Sequence, residues 1–211
     1  MEIYKAKYTD SFGEEETVIT NDGHTLRMIL RSVEFIDTDF DGFQTAVTDP
    51  EKLSSFTFFS GSLCGYVLEW VMPVKVFDNG SHTMDKLNCR LELGAPTDKG
   101  HLEVENLHLV LELRGQTFSS CGKHGFFDDE LLEIEQKLPK NLCLTICHNC
   151  SFSHYSPAGY GLFGSLGCFR GYKEQARLAK HKDEVFALFT QGLTEQVQET
   201  HLCPKFEIRS T

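Results

Sequence analysis

Strict alternation of apolar and polar residues limits what this chain can fold into. In residues 66–72 every second side chain is apolar, and residues 87–93 and 107–113 repeat the same rhythm. Successive side chains of a β-strand point to opposite faces, so a period of two predicts strands with one buried and one solvated face. Such half-buried strands are typical of antiparallel sheets. We therefore expect four apolar side chains from these strands to be buried together: Trp70, Leu91, Leu109 and Leu111.

Turn and helix signals complete the fold prediction. Asn21-Asp22-Gly23 and Asp78-Asn79-Gly80 are hairpin turn sequences. Apolar spacing predicts a helix over Asp129–Leu138, begun by Asp128 or Asp129 and ended by Pro139. A second helical segment spans residues 172–189 with a break near 181–183, and a last strand spans 198–208. The expected fold class is mainly β (α+β), with sandwich-like antiparallel sheets, two helical segments and a C-terminal Cys-rich loop region.

Length and hydropathy set the domain organisation and the location. With 211 residues, we expect a single domain over 1–211, made of a β-rich core (1–140) and a Cys/Gly-rich C-terminal portion (141–211). No apolar run approaches the roughly 18 residues of a transmembrane helix, and the N-terminus lacks a signal-peptide apolar region. We therefore expect a cytoplasmic protein with no membrane association.

The charge of the chain limits its partners. Its 31 acidic residues exceed its 20 Lys and Arg, which gives a net charge of −11. This charge repels nucleic acid and attracts basic proteins, so we expect a protein partner rather than DNA or RNA. The acidic face of this prediction is built from Glu69, Glu92 and Glu112, or from the Glu14-Glu15-Glu16 run.

The cysteines of the C-terminal third predict a metal site. Cys147 and Cys150 form a Cys-x-x-Cys pair, and Cys168 and Cys203 supply two further thiols. Four thiolates make the tetrahedral shell that structural zinc prefers, so we predict one zinc ion on these four residues. His148 and His154 flank the pair and are candidate substitutes for a cysteine. The alternatives are four buried cysteines acting as small apolar residues, or a thioredoxin-type redox pair.

Other residues with chemical capacity receive plainer interpretations. The Gly159–Gly164 segment has the form G-x-G-x-x-G but does not follow a strand directly, so it predicts a tight loop within the glycine-rich stretch 159–167. Basic residues from Arg170 to Lys182 are typical of a solvated helix face and less so of an anion site. Cys121 lies in a turn whose only candidate activating neighbour is His124, so we do not predict it to be a nucleophile.

Several short motifs of the C-terminal third occur in one order. With these motifs the chain resembles a bacterial domain-of-unknown-function family of the actinomycete type, and segments near Tyr8, Glu15 and Gly61 extend the resemblance over nearly the whole chain. The family has no established activity, so the resemblance implies a shared fold and shared cysteines but no catalytic residue. The motifs are Cys-x-Asn-Cys at 147–150, Tyr-Ser-Pro-x-Gly at 155–159, Leu-Phe-Gly at 162–164, Cys-Phe-Arg-Gly-x-Lys-Glu at 168–174 and Gln-Glu-Thr-x-Leu-Cys-Pro-x-Phe at 198–206.

Two functional classes follow from these features. The leading hypothesis is a non-enzymatic binding protein with a structural zinc, for example an immunity protein that neutralises a basic toxin. The rival is a zinc-dependent enzyme in which Cys147, Cys150 and Cys168 hold the metal and the fourth position binds water, beside Arg170 or His154. A zinc-ribbon protein that binds nucleic acid is disfavoured by the net charge of −11.

Overall fold

The computed structural model describes residues 1–209, which are mostly β-strands. In chain order the strands are β1 (Glu2–Asp10), β2 (Gly13–Asn21), β3 (Leu26–Leu30), β4 (Val33–Asp37), β5 (Thr57–Phe59), β6 (Ser62–Cys64), β7 (Tyr66–Asp78), β8 (Ser81–Leu93), β9 (Glu105–Leu113), β10 (Gln116–Ser119), β11 (Leu142–Leu144), β12 (Ser153–His154), β13 (Leu166–Cys168) and β14 (Glu195–Val197). The helices of this part are α1 (Pro50–Leu53), α2 (Phe127–Lys137), α3 (Lys173–Leu178) and α4 (Lys182–Gln191). None of these helices is long and apolar enough to cross a bilayer.

A nine-stranded sheet forms the body of the protein. Its order is β10-β9-β8-β7-β1-β2-β3-β4, with β11 paired to the far end of β7, and each of these pairings is antiparallel. Strands β7 and β8 form a long hairpin whose turn residues Asn79 and Gly80 have φ of 45° and 93°. Positive φ at both turn residues matches the right-handed twist of the strands. The mainly β, antiparallel fold class is thus confirmed.

The large sheet has one buried face and one open face. In the cross-strand register Trp70 lies opposite Cys89, which in turn lies opposite Leu109, and all three side chains are buried. Leu91 and Leu111 are buried in the same cluster, so the predicted strand registers are correct. The covering layer takes its buried side chains from residues 40–64, from α2 and from residues 144–146 and 162–163, so Phe163 belongs to the main core.

The open face carries side chains of both signs in regular rows. One row runs across four strands from Lys7 through Glu69 and Arg90 to His108. The ion pair between Arg90 and Glu92, at 2.9 Å, lies on the same face. Opposite charges on neighbouring strands attract one another, so the rows of this face support the strand pairing.

The helix predictions need adjustment at their ends. Helix α2 begins at Phe127 rather than Asp129, and Phe126 precedes it without a side-chain cap. Asp128 and Asp129 therefore lie inside the first turn, where carboxylates interact favourably with the helix dipole. The second segment is broken as expected, between α3 and α4, but the short α1 was not predicted.

The predicted last strand over 198–208 is wrong. Strand β14 ends at Val197, and the following residues form turns with one isolated β-bridge between Ile208 and Cys150. Buried side-chain hydrogen bonds replace a strand ladder here. The Gln198 and Asn21 amides donate to each other at 3.1 and 2.7 Å, which attaches the C-terminal segment to β2. Because two amides pair without a ladder, no period-two pattern is required of these residues.

Candidate metal centre

Two of the four predicted cysteines converge with a histidine at the C-terminal end of the fold. The Cys147 sulfur, a ring nitrogen of His201 and the Cys203 sulfur all lie within 4.8 Å of one another. Cys147 begins a short 3₁₀ turn after β11, and the other two residues belong to the segment that follows β14. Mixed sulfur and nitrogen ligands at this separation suit zinc.

Cys168 and Cys150 lie near this group but are not part of it. Cys168, the last residue of β13, is buried in the same small apolar cluster as Cys147 and borders Cys203. Cys150 belongs to a different cluster, with Phe152 and Phe169. All eight cysteines of the chain are free thiols. His201 was missed by the sequence reasoning, although the His-x-Cys spacing of 201 and 203 was a usable signal.

Hydrogen bonds converge on the sulfur of Cys203. The backbone N–H of Lys205 donates to it at 3.4 Å, and the Arg170 guanidinium donates to it at 3.3 Å. The Phe206 N–H donates to the Cys203 carbonyl at 3.2 Å, which closes a turn around Pro204. N–H donors of this kind stabilise a thiolate and hold a ligand sulfur in place.

The electrostatics of the group oppose a redox role. Burial raises the pKa of Cys147, and the nearby Cys203, Cys150 and Cys168 sulfurs raise it further. Burial also raises the pKa of Cys168, against the opposing effects of Arg170. Thioredoxin-type pairs need a lowered thiol pKa, so this arrangement disfavours that chemistry. A bound cation would reverse the balance by stabilising the thiolates.

The two flanking histidines face away from the cysteine group. The His154 Nε2 lies 2.8 Å from the Ala176 carbonyl oxygen, to which it donates. His148 lines a cleft beside α2, and its Nδ1 is buried without a hydrogen-bond partner. Neither ring belongs to the group of ligand atoms around Cys147.

The glycine-rich loop packs against the main body of the protein. A Cβ on Gly161 would collide with the Asp39 carboxylate, and one on Gly164, whose φ is +76°, would lie 2.8 Å from the Thr38 carbonyl oxygen. The Gly164 N–H donates to the fully buried Glu199 carboxylate at 2.7 Å. The loop joins two antiparallel strands, β12 and β13, so it lacks the βαβ context of a dinucleotide site. Close backbone approach explains its glycines.

The basic residues after Cys168 are mostly paired with carboxylates. Lys173 contacts Glu207 at 3.0 Å, and Arg177 contacts both Glu207 and Glu174. Lys180 lies between α3 and α4, so the basic residues do not share one helix face. Ion pairing at the surface accounts for this cluster without a bound anion.

A cleft of about 540 Å³ lies between α2 and the C-terminal portion. Burial raises the pKa of Glu135 in its wall to about 7, against the opposing effects of a hydrogen bond from Asn149 and the charge of Arg209. Burial lowers the pKa of His148 to about 4, so this ring is neutral at pH 7. The cleft thus combines a carboxyl that titrates near neutrality with uncharged imidazoles.

The Glu135 carboxyl should make stability depend on pH. Its pKa rises from 4.5 in a free chain to about 7 in the fold, so the folded state binds more protons between these values. The free energy of unfolding should therefore fall as pH rises from about 4.5 to 7. In Glu135→Gln this fall should be smaller by on the order of 1–3 kcal/mol. Urea unfolding at pH 5 and pH 8 measures it. Gln136→Ala, on the exposed side of α2, is the control, and equal pH slopes for wild type and Glu135→Gln would contradict the prediction.

Comparisons with known proteins place the chain in a family. No curated protein and no solved structure matches it. A family model described as a family of unknown function (DUF6304) matches residues 2–153, which include the whole nine-stranded sheet together with Cys147 and Cys150. Cys168, His201 and Cys203 lie beyond the matched residues. The chain therefore belongs to the family of unknown function DUF6304.

Proposed function

We propose that this protein binds one structural zinc ion through Cys147, Cys168, His201 and Cys203. The observation that carries the proposal is the convergence of three ligand atoms, from Cys147, His201 and Cys203, within 4.8 Å of one another. The N–H donors around the Cys203 sulfur add the outer shell that zinc thiolates commonly have. This set replaces one thiol of the four-cysteine set with an imidazole.

Cys168 is the best candidate for the fourth ligand. It shares a buried cluster with Cys147, and Cys203 packs against that cluster. Cys150 packs with Phe152 and Phe169, but its sulfur is near enough to Cys147 to raise the pKa of that thiol, so Cys150 is the alternative fourth ligand. Three sulfurs and one nitrogen complete a tetrahedral shell.

A closed shell favours stability over catalysis. The ion would join the turn after β11, the end of β13 and the C-terminal segment, three pieces that short strands and a few backbone hydrogen bonds otherwise connect. A shell of four protein ligands leaves no position for an activated water, so the rival zinc enzyme at Cys147, Cys150 and Cys168 requires one ligand fewer.

Metal content tests the proposal. Protein purified without chelator should lose one zinc equivalent when Cys203→Ser or His201→Ala is introduced, whereas Cys143→Ser and His24→Ala should lose none. Cys143 and His24 lie outside the group, so they control for the loss of any thiol or imidazole. Cobalt substitution should give the thiolate charge-transfer absorption of a tetrahedral site. Wild-type zinc content that Cys203→Ser and His201→Ala leave unchanged would refute the proposal.

The fourth ligand is tested separately. Cys168→Ser should lower zinc affinity at least about tenfold, which corresponds to about 1.4 kcal/mol. Cys150→Ser should leave affinity within about twofold. The reverse ranking would assign the fourth position to Cys150 and return the site to the Cys-x-x-Cys arrangement.

A binding role with a basic protein partner, such as a toxin, is supported by the net charge of −11 alone. The glutamates suggested for it have basic neighbours: Glu69 lies opposite Arg90, Glu112 lies opposite Lys86, and Glu14 pairs with Lys7 at 2.9 Å. The open face is therefore mixed rather than acidic. Affinity purification from the native cytoplasm at low and high salt tests this role, since steering by net charge requires salt-sensitive capture of a basic protein.

A further inference from the structure

A second cluster of ligand-type side chains lies where the turn at residues 121–124 meets Glu133 of α2. The His124 Nε2 is 3.5 Å from the Cys121 sulfur and 3.4 Å from the Glu133 Oε2. All three ligand atoms lie within 4.8 Å of one another. Cys121 and His124 are exposed, and Glu133 is half-buried.

These separations are those of ligands around a tetrahedral zinc ion. Zinc bonds of about 2.3 Å to sulfur and about 2.0–2.1 Å to nitrogen and oxygen, at tetrahedral angles, put sulfur about 3.5 Å from nitrogen. The same bonds put nitrogen about 3.3 Å from oxygen. The observed 3.5 and 3.4 Å agree with both values, and the sulfur and the carboxylate oxygen also lie within 4.8 Å of each other.

The turn that carries Cys121 and His124 is held in place by carboxylates of α2. The fully buried Glu130 carboxylate accepts the Gly122 N–H at 3.0 Å and the His124 N–H at 2.8 Å. The Cys121 N–H donates to the Glu133 Oε2 at 2.8 Å. Glycines with positive φ, at Gly122 and Gly125, allow this tight path. The ligand side chains therefore extend from a rigid backbone, as a metal site requires.

Lys137 supports the site rather than competing for it. Its amine contacts the Glu133 Oε1 at 2.6 Å and the Ser119 carbonyl at 2.6 Å. The other carboxylate oxygen, Oε2, is the one that faces His124. A ligand carboxylate that is held through its second oxygen keeps its orientation when the metal binds.

We propose that Cys121, His124 and Glu133 form a second zinc site, with three protein ligands and a fourth position that is open to solvent. Sulfur, nitrogen and oxygen ligands together select a borderline divalent cation such as zinc over magnesium or calcium. Three protein ligands and an open position are the arrangement of catalytic rather than structural zinc. The site would therefore accept water or a small anion at the metal.

Zinc counting separates the two sites. Apo protein reloaded with Zn²⁺ alone and desalted should hold two equivalents. Cys121→Ser and His124→Ala should each remove one equivalent that Cys203→Ser does not remove, while Cys143→Ser and His24→Ala retain both. Because Cys121 and His124 are exposed, these variants should fold, and an unchanged circular dichroism spectrum checks this.

The open position has its own readout. In Co²⁺-loaded protein, the visible bands that are lost in Cys121→Ser belong to the second site, and azide should shift them. The bands that are lost in Cys203→Ser belong to the first site, and azide should leave them unchanged. A wild type with one zinc equivalent, lost in Cys203→Ser and kept in Cys121→Ser, would overturn the second site and leave the first. One equivalent lost only in Cys121→Ser would overturn the first and leave the second. Azide-insensitive bands would refute the open position.

Discussion

Removal of zinc is expected to loosen residues 147–153 and 166–209, while the nine-stranded sheet and its packing with Phe163 stay folded. The proposed ligands lie in three separate pieces of this region, which are otherwise joined by two- and three-residue strands and by single backbone hydrogen bonds, such as the one from the Cys147 N–H to the His201 carbonyl at 3.1 Å. Structural zinc contributes on the order of 10 kcal/mol in small metal domains, far more than such short strands provide. Hydrogen exchange with and without chelator should show lost protection after residue 147 and unchanged protection in β7 and β8.

The Cys203→Ser variant should reproduce the effect of the chelator. Its melting temperature should fall by roughly 10 °C or more, since the loss of several kcal/mol in a chain of this size has that effect. Cys143→Ser is the matched control because its thiol is half-buried, like that of Cys203, but lies outside the group. Equal exchange in the presence and absence of chelator would contradict this prediction.

Truncation of Phe163 is the second change with a large expected effect. Its ring packs against Phe40 at 4.8 Å and Phe127 at 4.9 Å between ring centroids, and Phe40 stacks on Trp70 at 4.2 Å. Phe163→Ala removes a fully buried ring from the point where the glycine-rich loop meets the main core. The free energy of unfolding should fall by about 3–5 kcal/mol.

A matched phenylalanine gives the control for this truncation. Phe186 of α4 is 40% exposed, so Phe186→Ala should cost less than about 1 kcal/mol. Denaturant unfolding of both variants makes the comparison. Equal losses would mean that Phe163 does not link the loop to the core and that the C-terminal portion is stabilised independently.

The sheet was predictable because the residue pattern within each strand shows which side chains are buried. Along β7 the residues from Tyr66 to Val76 alternate strictly between the two faces, so the side chains alone indicate both the strand and its register. The long hairpin was equally visible in Asn79-Gly80, where φ is positive at both positions. Where one face of a strand is buried and the other meets water, the alternation of apolar and polar residues indicates the strand.

The C-terminal portion was less predictable because its contacts are not periodic. Residues 198–200 are buried and polar, with Gln198 paired to Asn21 and Glu199 to Tyr155, and no local pattern distinguishes them from a strand. His201 joins Cys147 across more than fifty residues, which sequence spacing does not encode. Cys121 and His124 were noted together, but Glu133 joins their cluster only through the packing of α2 beside their turn, which the sequence does not show.

The amide pair between Asn21 and Gln198 has a consequence for how the chain folds. Its two members are 177 residues apart, and Asn21 is the last residue of β2. Contacts of such large sequence separation slow folding because the intervening loop must close first. Asn21 therefore cannot form this pair until residue 198 has left the ribosome. We expect nascent chains stalled before residue 198 to keep this end of the sheet accessible to chaperones.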